Sequence, residues 1–253
     1  MANYTLLFSP TGNTEQVAKI LMPHNEVINL LKVPQSRAFT ENDTVLAAVP
    51  CYCGRVPAPA VERLQLFAGN GARAILLCTY GNRQYDDALS ELQDTMNACG
   101  FKVVAAMAVV CEHSIYRRLG QGRPDDADME DLRYFAKAIE TASEPLSPLP
   151  GSHGTYHDFT LEAYDPAAKK EDCVKCGVYA EECPVGAINP KAPRYLPNAN
   201  CIGCMRCVKV CPIQVRKIAP IAAARIVSFL APYVNDRKPN ELFIEGLSTE
   251  SWN

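Results

Sequence analysis

Seven cysteines, at positions 173, 176, 183, 201, 204, 207 and 211, fall within 39 residues of a 253-residue chain that holds twelve in all. The chain opens without the basic start and long apolar stretch of an export signal, so thiols this dense read as metal ligands and not as a disulfide framework. Cys201, Cys204, Cys207, Cys211 and Pro212 stand in the spacing C-x2-C-x2-C-x3-C-P. Steps of three let the first three thiolates wrap one iron–sulfide cube, while the fourth, turned away before the proline, is free for a different cluster. Zinc sites usually use two separated C-x2-C pairs and have no proline signature. The spacing assigns iron–sulfur. An earlier run, Cys173, Cys176, Tyr179, Cys183 and Pro184, keeps the same spacing but sets Tyr179 at the third ligand position.

The uneven cysteines divide the chain. Residues 1–145 form one expected domain and 166–218 the metal-binding one. Between them residues 146–165 read as a linker, opened by Pro145, Pro148, Pro150 and Gly151, which fit neither helix nor central strand. His153, Tyr156 and His157 in this stretch lack helical pattern and read as solvated linker rather than a metal pair. Residues 219–253 read as a C-terminal helix, over about 218–234, followed by a polar tail. Hydrophobic residues make up 48% and charged residues 21%, which supplies a real core and excludes disordered and collagen-like chains. A net charge of −3 carries no whole-chain footprint for nucleic acid. No uncharged apolar run approaches the ~18 residues of a membrane span. The expectation is a cytoplasmic protein with neither nucleic acid nor membrane as partner.

In the first domain, apolar β-type runs at 4–8, 26–31, 45–49, 74–79 and 103–110 alternate with helical patterns at 15–22, 60–67, 87–99 and 125–140. This alternation predicts an α/β fold, a doubly wound parallel sheet of five strands, with sites at the carboxyl ends of the strands. After the first run come Ser9, Pro10, Thr11, Gly12, Asn13 and Thr14. Hydroxyls and an unencumbered backbone at a helix start make a phosphate cradle, although such residues also serve simply to cap helices. Neither a Gly-Lys pair nor the spaced-glycine dinucleotide pattern is present.

This loop resembles the phosphate loop of the flavodoxin family, which implies FMN and a flavodoxin-like fold. The resemblance then implies that the loops after the third and fourth strands hold the isoalloxazine ring. There Pro50, Tyr52, Gly54 and Arg55, and Thr79, Tyr80, Gly81, Asn82 and Tyr85, are the candidates, with Tyr52, Tyr80 and Tyr85 for stacking. With Ser9, Thr11, Gly12, Asn13 and Thr14 they complete the expected cofactor set. Cys51, Cys53, Cys78, Cys99 and Cys111 read as structural, and His113 as a loop residue within reach of a flavin.

The cysteine-rich part resembles the bacterial two-cluster ferredoxin, a small α+β fold in which each motif lends its fourth cysteine to the other's cluster. Carried over, Cys201, Cys204, Cys207 and Cys183 complete one [4Fe-4S] site. Cys173, Cys176 and Cys211 face Tyr179 in the other, which the resemblance leaves as a [3Fe-4S] or a labile [4Fe-4S] cluster, or as lost. Together the two halves resemble the flavodoxin–ferredoxin fusion proteins of anaerobic prokaryotes. That implies a relay of single electrons between FMN and clusters, serving a redox partner protein. The alternative is an FMN-dependent reductase of a small molecule fed by its own clusters. A third class is a phosphate-ligand domain with a structural metal module. Residues 1–150 carry a net −4 and residues 166–220 a net +5, which favours docking of the halves or offsets negative clusters.

Overall fold

The computed structural model describes residues 2–157, 166–168, 172–192 and 196–247. In chain order the first part gives β1 (Asn3–Leu7), α1 (Asn13–Leu21), β2 (Glu26–Asn29), β3 (Arg37–Ala38), β4 (Thr44–Pro50) and α2 (Ala58–Leu64). It continues with β5 (Phe67–Ala68), β6 (Arg73–Tyr80), α3 (Ala88–Ala98), β7 (Lys102–Val110) and α4 (Asp126–Thr141). The rest gives β8 (Ala167–Ala168), α5 (Val178–Glu181), α6 (Arg206–Lys209), β9 (Arg216–Lys217), α7 (Pro220–Leu230) and β10 (Glu241–Ile244).

The main sheet has the order β10-β7-β6-β4-β1-β2. Its five strands from the first part are parallel and follow the doubly wound 2-1-3-4-5 order. β4, β6 and β7 are apolar almost throughout because both of their faces are covered. Alternate residues feed two cores. Leu6, Val45, Ala47 and Leu76 meet Leu64 of α2 and Leu89 and Leu92 of α3. Leu46, Ala48, Ile75 and Leu77 meet Val17 of α1 and Leu132 of α4.

The sheet has six strands where the sequence predicts five, and the expected polar tail supplies the sixth. β10 pairs antiparallel with β7, Leu242 lying opposite Met107. A four-residue run carries too little periodicity to be read as a strand. Its evidence is tertiary: Leu242 is 2% exposed, and it closes an edge of the sheet that would otherwise stay open. The approach to β10 is latched. Arg237 pairs with Asp125, and the Asn240 amide donates to Asp128 (2.9 Å) and Asp131 (2.8 Å). The Asn240 side-chain oxygen accepts the Val110 N–H at 2.9 Å. Asp128 is held in turn by a buried pairing with Arg123. Replacing Leu242 with Ala is expected to cost about 2–4 kcal/mol through a lost contact and a residual cavity. Chemical denaturation checks this; an unchanged midpoint would show that β10 contributes nothing.

The expected solvated linker also differs. Leu149 is buried and its N–H donates to Gln93 at 2.9 Å. His153 (2.7 Å) and the Tyr156 hydroxyl (2.6 Å) bind Asp94, and the His157 N–H donates to Asp87 at 2.9 Å. Residues 146–157 are therefore strapped along α3. Their polar character answers two carboxylates presented from an earlier helix rather than solvent. The remainder of the linker, residues 158–165, lies outside the described residues.

In the second part, β8 and β9 form a two-stranded ribbon beside the one-turn helices α5 and α6. The helix expected over 218–234 is α7 with a short 3-10 turn after it, but it does not pack back as fully as expected. Ala222, Ala223, Ile226 and Leu230 make its covered side, while Ile221 and Phe229 are 73% and 63% exposed.

Candidate functional site

Reversal of strand order about β1 opens a crevice at the carboxyl ends of the strands, the usual ligand position in such sheets. A cleft open to solvent lies there. Its walls are the β1–α1 loop, the segments after β4 and β6, residues 111–115 after β7, and Ile202 and Gly203 from the cysteine-rich part.

The β1–α1 loop is shaped by Gly12, the residue before α1, whose φ of +98° lies in the left-handed region. A Cβ built there meets nothing within 4 Å, so backbone conformation rather than crowding requires glycine, and the approach to the main chain stays clear. Ser9 does not line the cleft; its Oγ accepts the Glu15 N–H at 3.0 Å and caps the helix start. Thr14 and Thr79 share a hydroxyl–hydroxyl bond of 2.7 Å, tying this loop to the end of β6. The Asn13 amide donates to the Glu112 carbonyl at 2.8 Å, fixing the opposite wall. Thr11 and the amino end of the nine-residue α1 remain to receive an anion.

After β4 the chain makes a tight turn, Tyr52 and Arg55 exchanging main-chain bonds of 2.9 and 3.1 Å. Cys53 and Gly54 have φ of 51° and 78°, the paired left-handed residues of a type I′ turn. The turn presents Tyr52 to the cleft. Burial, with the Cys204 and Cys51 thiols beside it, pushes the Tyr52 phenol well above its ordinary range, so it stays neutral. Tyr80 also lines the cleft, its hydroxyl donating to the Pro239 carbonyl at 3.4 Å. The structure thus brings together Thr11, Asn13, Thr14, Pro50, Tyr52, Thr79, Tyr80 and Gly81.

Other sequence candidates are engaged elsewhere. A Cβ on Gly54 would strike the Asp86 side chain at 2.5 Å. Arg55 binds Glu91 at 2.7 and 2.8 Å and stacks over Tyr156. Asn82 donates to the Asp236 carbonyl at 2.7 Å, and the Tyr85 hydroxyl donates to Glu241 at 2.7 Å. Sequence reasoning missed the walls from Glu112, Ser114 and Ile115. His113 does reach the cleft. Its Nδ1 accepts the Ile115 and Tyr116 N–H groups, and burial pulls its pKa down to about 4, which keeps the ring neutral near pH 7.

Among the described residues, no cluster of Cys, His, Asp and Glu is arranged to hold a single metal ion. One small cavity is lined by Cys183, Cys201, Cys204 and Cys207 together. The Ala187 N–H donates to the Cys183 sulfur at 3.3 Å. Such donors stabilise thiolate charge and orient metal ligands. Burial pushes the Cys204 thiol up to about 12, so a metal that takes it must displace a proton.

The cysteine-rich part rests against the cleft. Ile202 packs on the core that contains Leu6 and Val49. Arg206 donates to the Pro10 carbonyl at 3.1 Å and binds Glu182 at 3.0 Å. From the other side, Lys32 donates to the Glu181 carbonyl and the buried Arg63 to that of Pro184. These cations meet carbonyls at the ends of short helices and turns.

Strand order, the cleft at the reversal and the loop before α1 define a flavodoxin-like α/β fold. Among solved structures the chain is similar to oxidised flavodoxin 1 from Bacillus cereus, at 18% identity over 56% of this chain and 98% of that one, with a TM-score of 0.41. It is similar to the Streptococcus pneumoniae TIGR4 flavodoxin at 20% identity, over 55% and 99% of the two chains, with a TM-score of 0.37. The NAD(P)H:quinone oxidoreductase of Methanothermobacter marburgensis matches at 13% identity, over 57% and 99%, with a TM-score of 0.33. No protein-family model matches the sequence, and no curated protein matches it. Among the described residues no helix is long and apolar enough to cross a membrane.

Proposed function

We propose that the chain is an electron-transfer protein that holds FMN in the cleft and an iron–sulfur cluster on Cys183, Cys201, Cys204 and Cys207, and serves a redox partner protein. The observation that carries this reading is the position of Ile202 and Gly203. They lie between two of the thiols and also form a wall of the cleft. When bound, FMN accepts and releases electrons singly or in pairs, and a cluster exchanges one at a time. Thr11 and the amino end of α1 take the phosphate. Tyr52 and Tyr80 wall the ring, Tyr52 beside Cys204 on the side of the cluster site. Ile202 keeps water out of the gap between the two sites.

The cleft walls also favour a carrier over a reductase of a small molecule. His113 is neutral with its Nδ1 committed to two main-chain amides, and Glu112 is bound by Arg117 and the Gly122 N–H. Neither is poised to hand a proton to a substrate. Anaerobically purified protein is expected to carry FMN, released on denaturation, and a broad visible absorbance that dithionite bleaches. Colourless protein that takes up neither flavin nor iron and sulfide would contradict the proposal.

A further inference from the structure

The two cysteine runs are one structural unit used twice, 28 residues apart from Cys173 to Cys201. Gly177 and Met205, each following the second cysteine, are both left-handed, with φ of 80° and 57°. Each precedes a four-residue helix, α5 or α6. The N–H four residues after the fourth cysteine donates to its sulfur at 3.3 Å in both, from Ala187 to Cys183 and from Val215 to Cys211. The backbone is therefore ready to build two equivalent cluster sites.

Two positions break the equivalence, and they touch. Tyr179 stands where the other unit has Cys207, and Arg216 where it has Ile188, five residues after the fourth cysteine. Ile188 lines the cavity of the complete site. At the other site both replacements are 1% exposed, with the Arg216 guanidinium 4.9 Å from the centre of the Tyr179 ring. The Tyr179 hydroxyl lies 3.4 Å from the Cys211 sulfur and 3.9 Å from that of Cys173. Those are two of the thiols that a second cluster needs on different irons. A phenol oxygen reaches several bond lengths farther from the backbone than a thiol. From the position that elsewhere holds a ligand sulfur, the Tyr179 ring enters the space of the iron–sulfide core instead of binding its corner.

From this geometry, and resting on the proposed function, we infer that the second cluster site is closed by the Tyr179–Arg216 pair. The chain then carries a single cluster. The second, three-thiolate cluster implied by the ferredoxin resemblance does not fit these residues.

The test is anaerobic reconstitution of the full chain with iron and sulfide, followed by iron counting and EPR. About four irons per chain and one reduced-cluster signal are expected. Seven or eight irons, or a second cluster signal, would overturn the inference while leaving the parent reading intact. No iron at all would overturn both. Tyr179→Cys combined with Arg216→Ile is expected to raise the count towards eight; a count that stays at four in folded protein would show that something other than this pair closes the site.

Discussion

Replacing Cys183 with Ala is expected to destroy the cluster carried by Cys201, Cys204 and Cys207, although 18 residues separate it from the nearest of them. The expectation rests on placement. Cys183 shares a cavity with those three thiols, and its sulfur is oriented by the Ala187 N–H. Pro184 follows it and its carbonyl is gripped by Arg63 from the α/β part, which fixes the direction of the turn. Removing the thiolate leaves three ligands for four irons, and exposure to air and chelator then decides the outcome. The visible absorbance and cluster EPR signal should fall to background while flavin content is retained. Cys176→Ala provides the contrast, since Cys176 is exposed and belongs to the other unit. It should leave that signal unchanged. A Cys183→Ala protein with a full, stable cluster would refute the crossed assignment.

The second large effect concerns the loop before α1. Thr11→Asp places a carboxylate where the amino end of the helix and the open main chain at Gly12 await an anion. A hydrogen bond to a charged group contributes about 1.5–3 kcal/mol, and repulsion between like charges adds to its loss. Since 1.4 kcal/mol is a factor of ten, FMN affinity should fall by about 10- to 100-fold or more. Thr11 makes none of the ties that Thr14 and Asn13 make to Thr79 and Glu112, so the loop should keep its shape. Fluorescence titration with FMN measures the effect, and unaltered cluster absorbance serves as the control for folding. Undiminished binding would place the phosphate elsewhere.

The α/β layout was legible because its signals are local: continuous apolar runs for strands covered on both faces, and helices marked by spacing and by Gly100 as a stop. The cleft was legible at the level of loops but not of side chains. Position after a strand end says that a residue is near the site and nothing about where it points. Ser9 turns inward to cap α1, Arg55 turns to Glu91, and Gly54 lies against Asp86. Asn82 and Tyr85 are claimed by Asp236 and Glu241, more than 150 residues later. No window of sequence contains both partners of such a bond. Beside the opposite net charges of the two parts, Ile202 offers a second hint of docking, an apolar side chain set between two expected metal ligands. The crossed set of cysteines is an expectation that the ferredoxin resemblance supplies; the fate of the second set is not legible in either motif alone. Tyr179 stood out as an anomaly, but its partner Arg216 acquires meaning only once the ring and guanidinium are seen in contact.

Under the proposed function, electrons pass between the cleft and the cluster within one chain. Photoreducing the bound flavin anaerobically and following the cluster absorbance at several protein concentrations tests this directly. The cluster is expected to bleach as the flavin reoxidises, with a first-order rate that does not change with concentration. A rate proportional to concentration, or a reduced flavin beside an unreacted oxidised cluster, would contradict it.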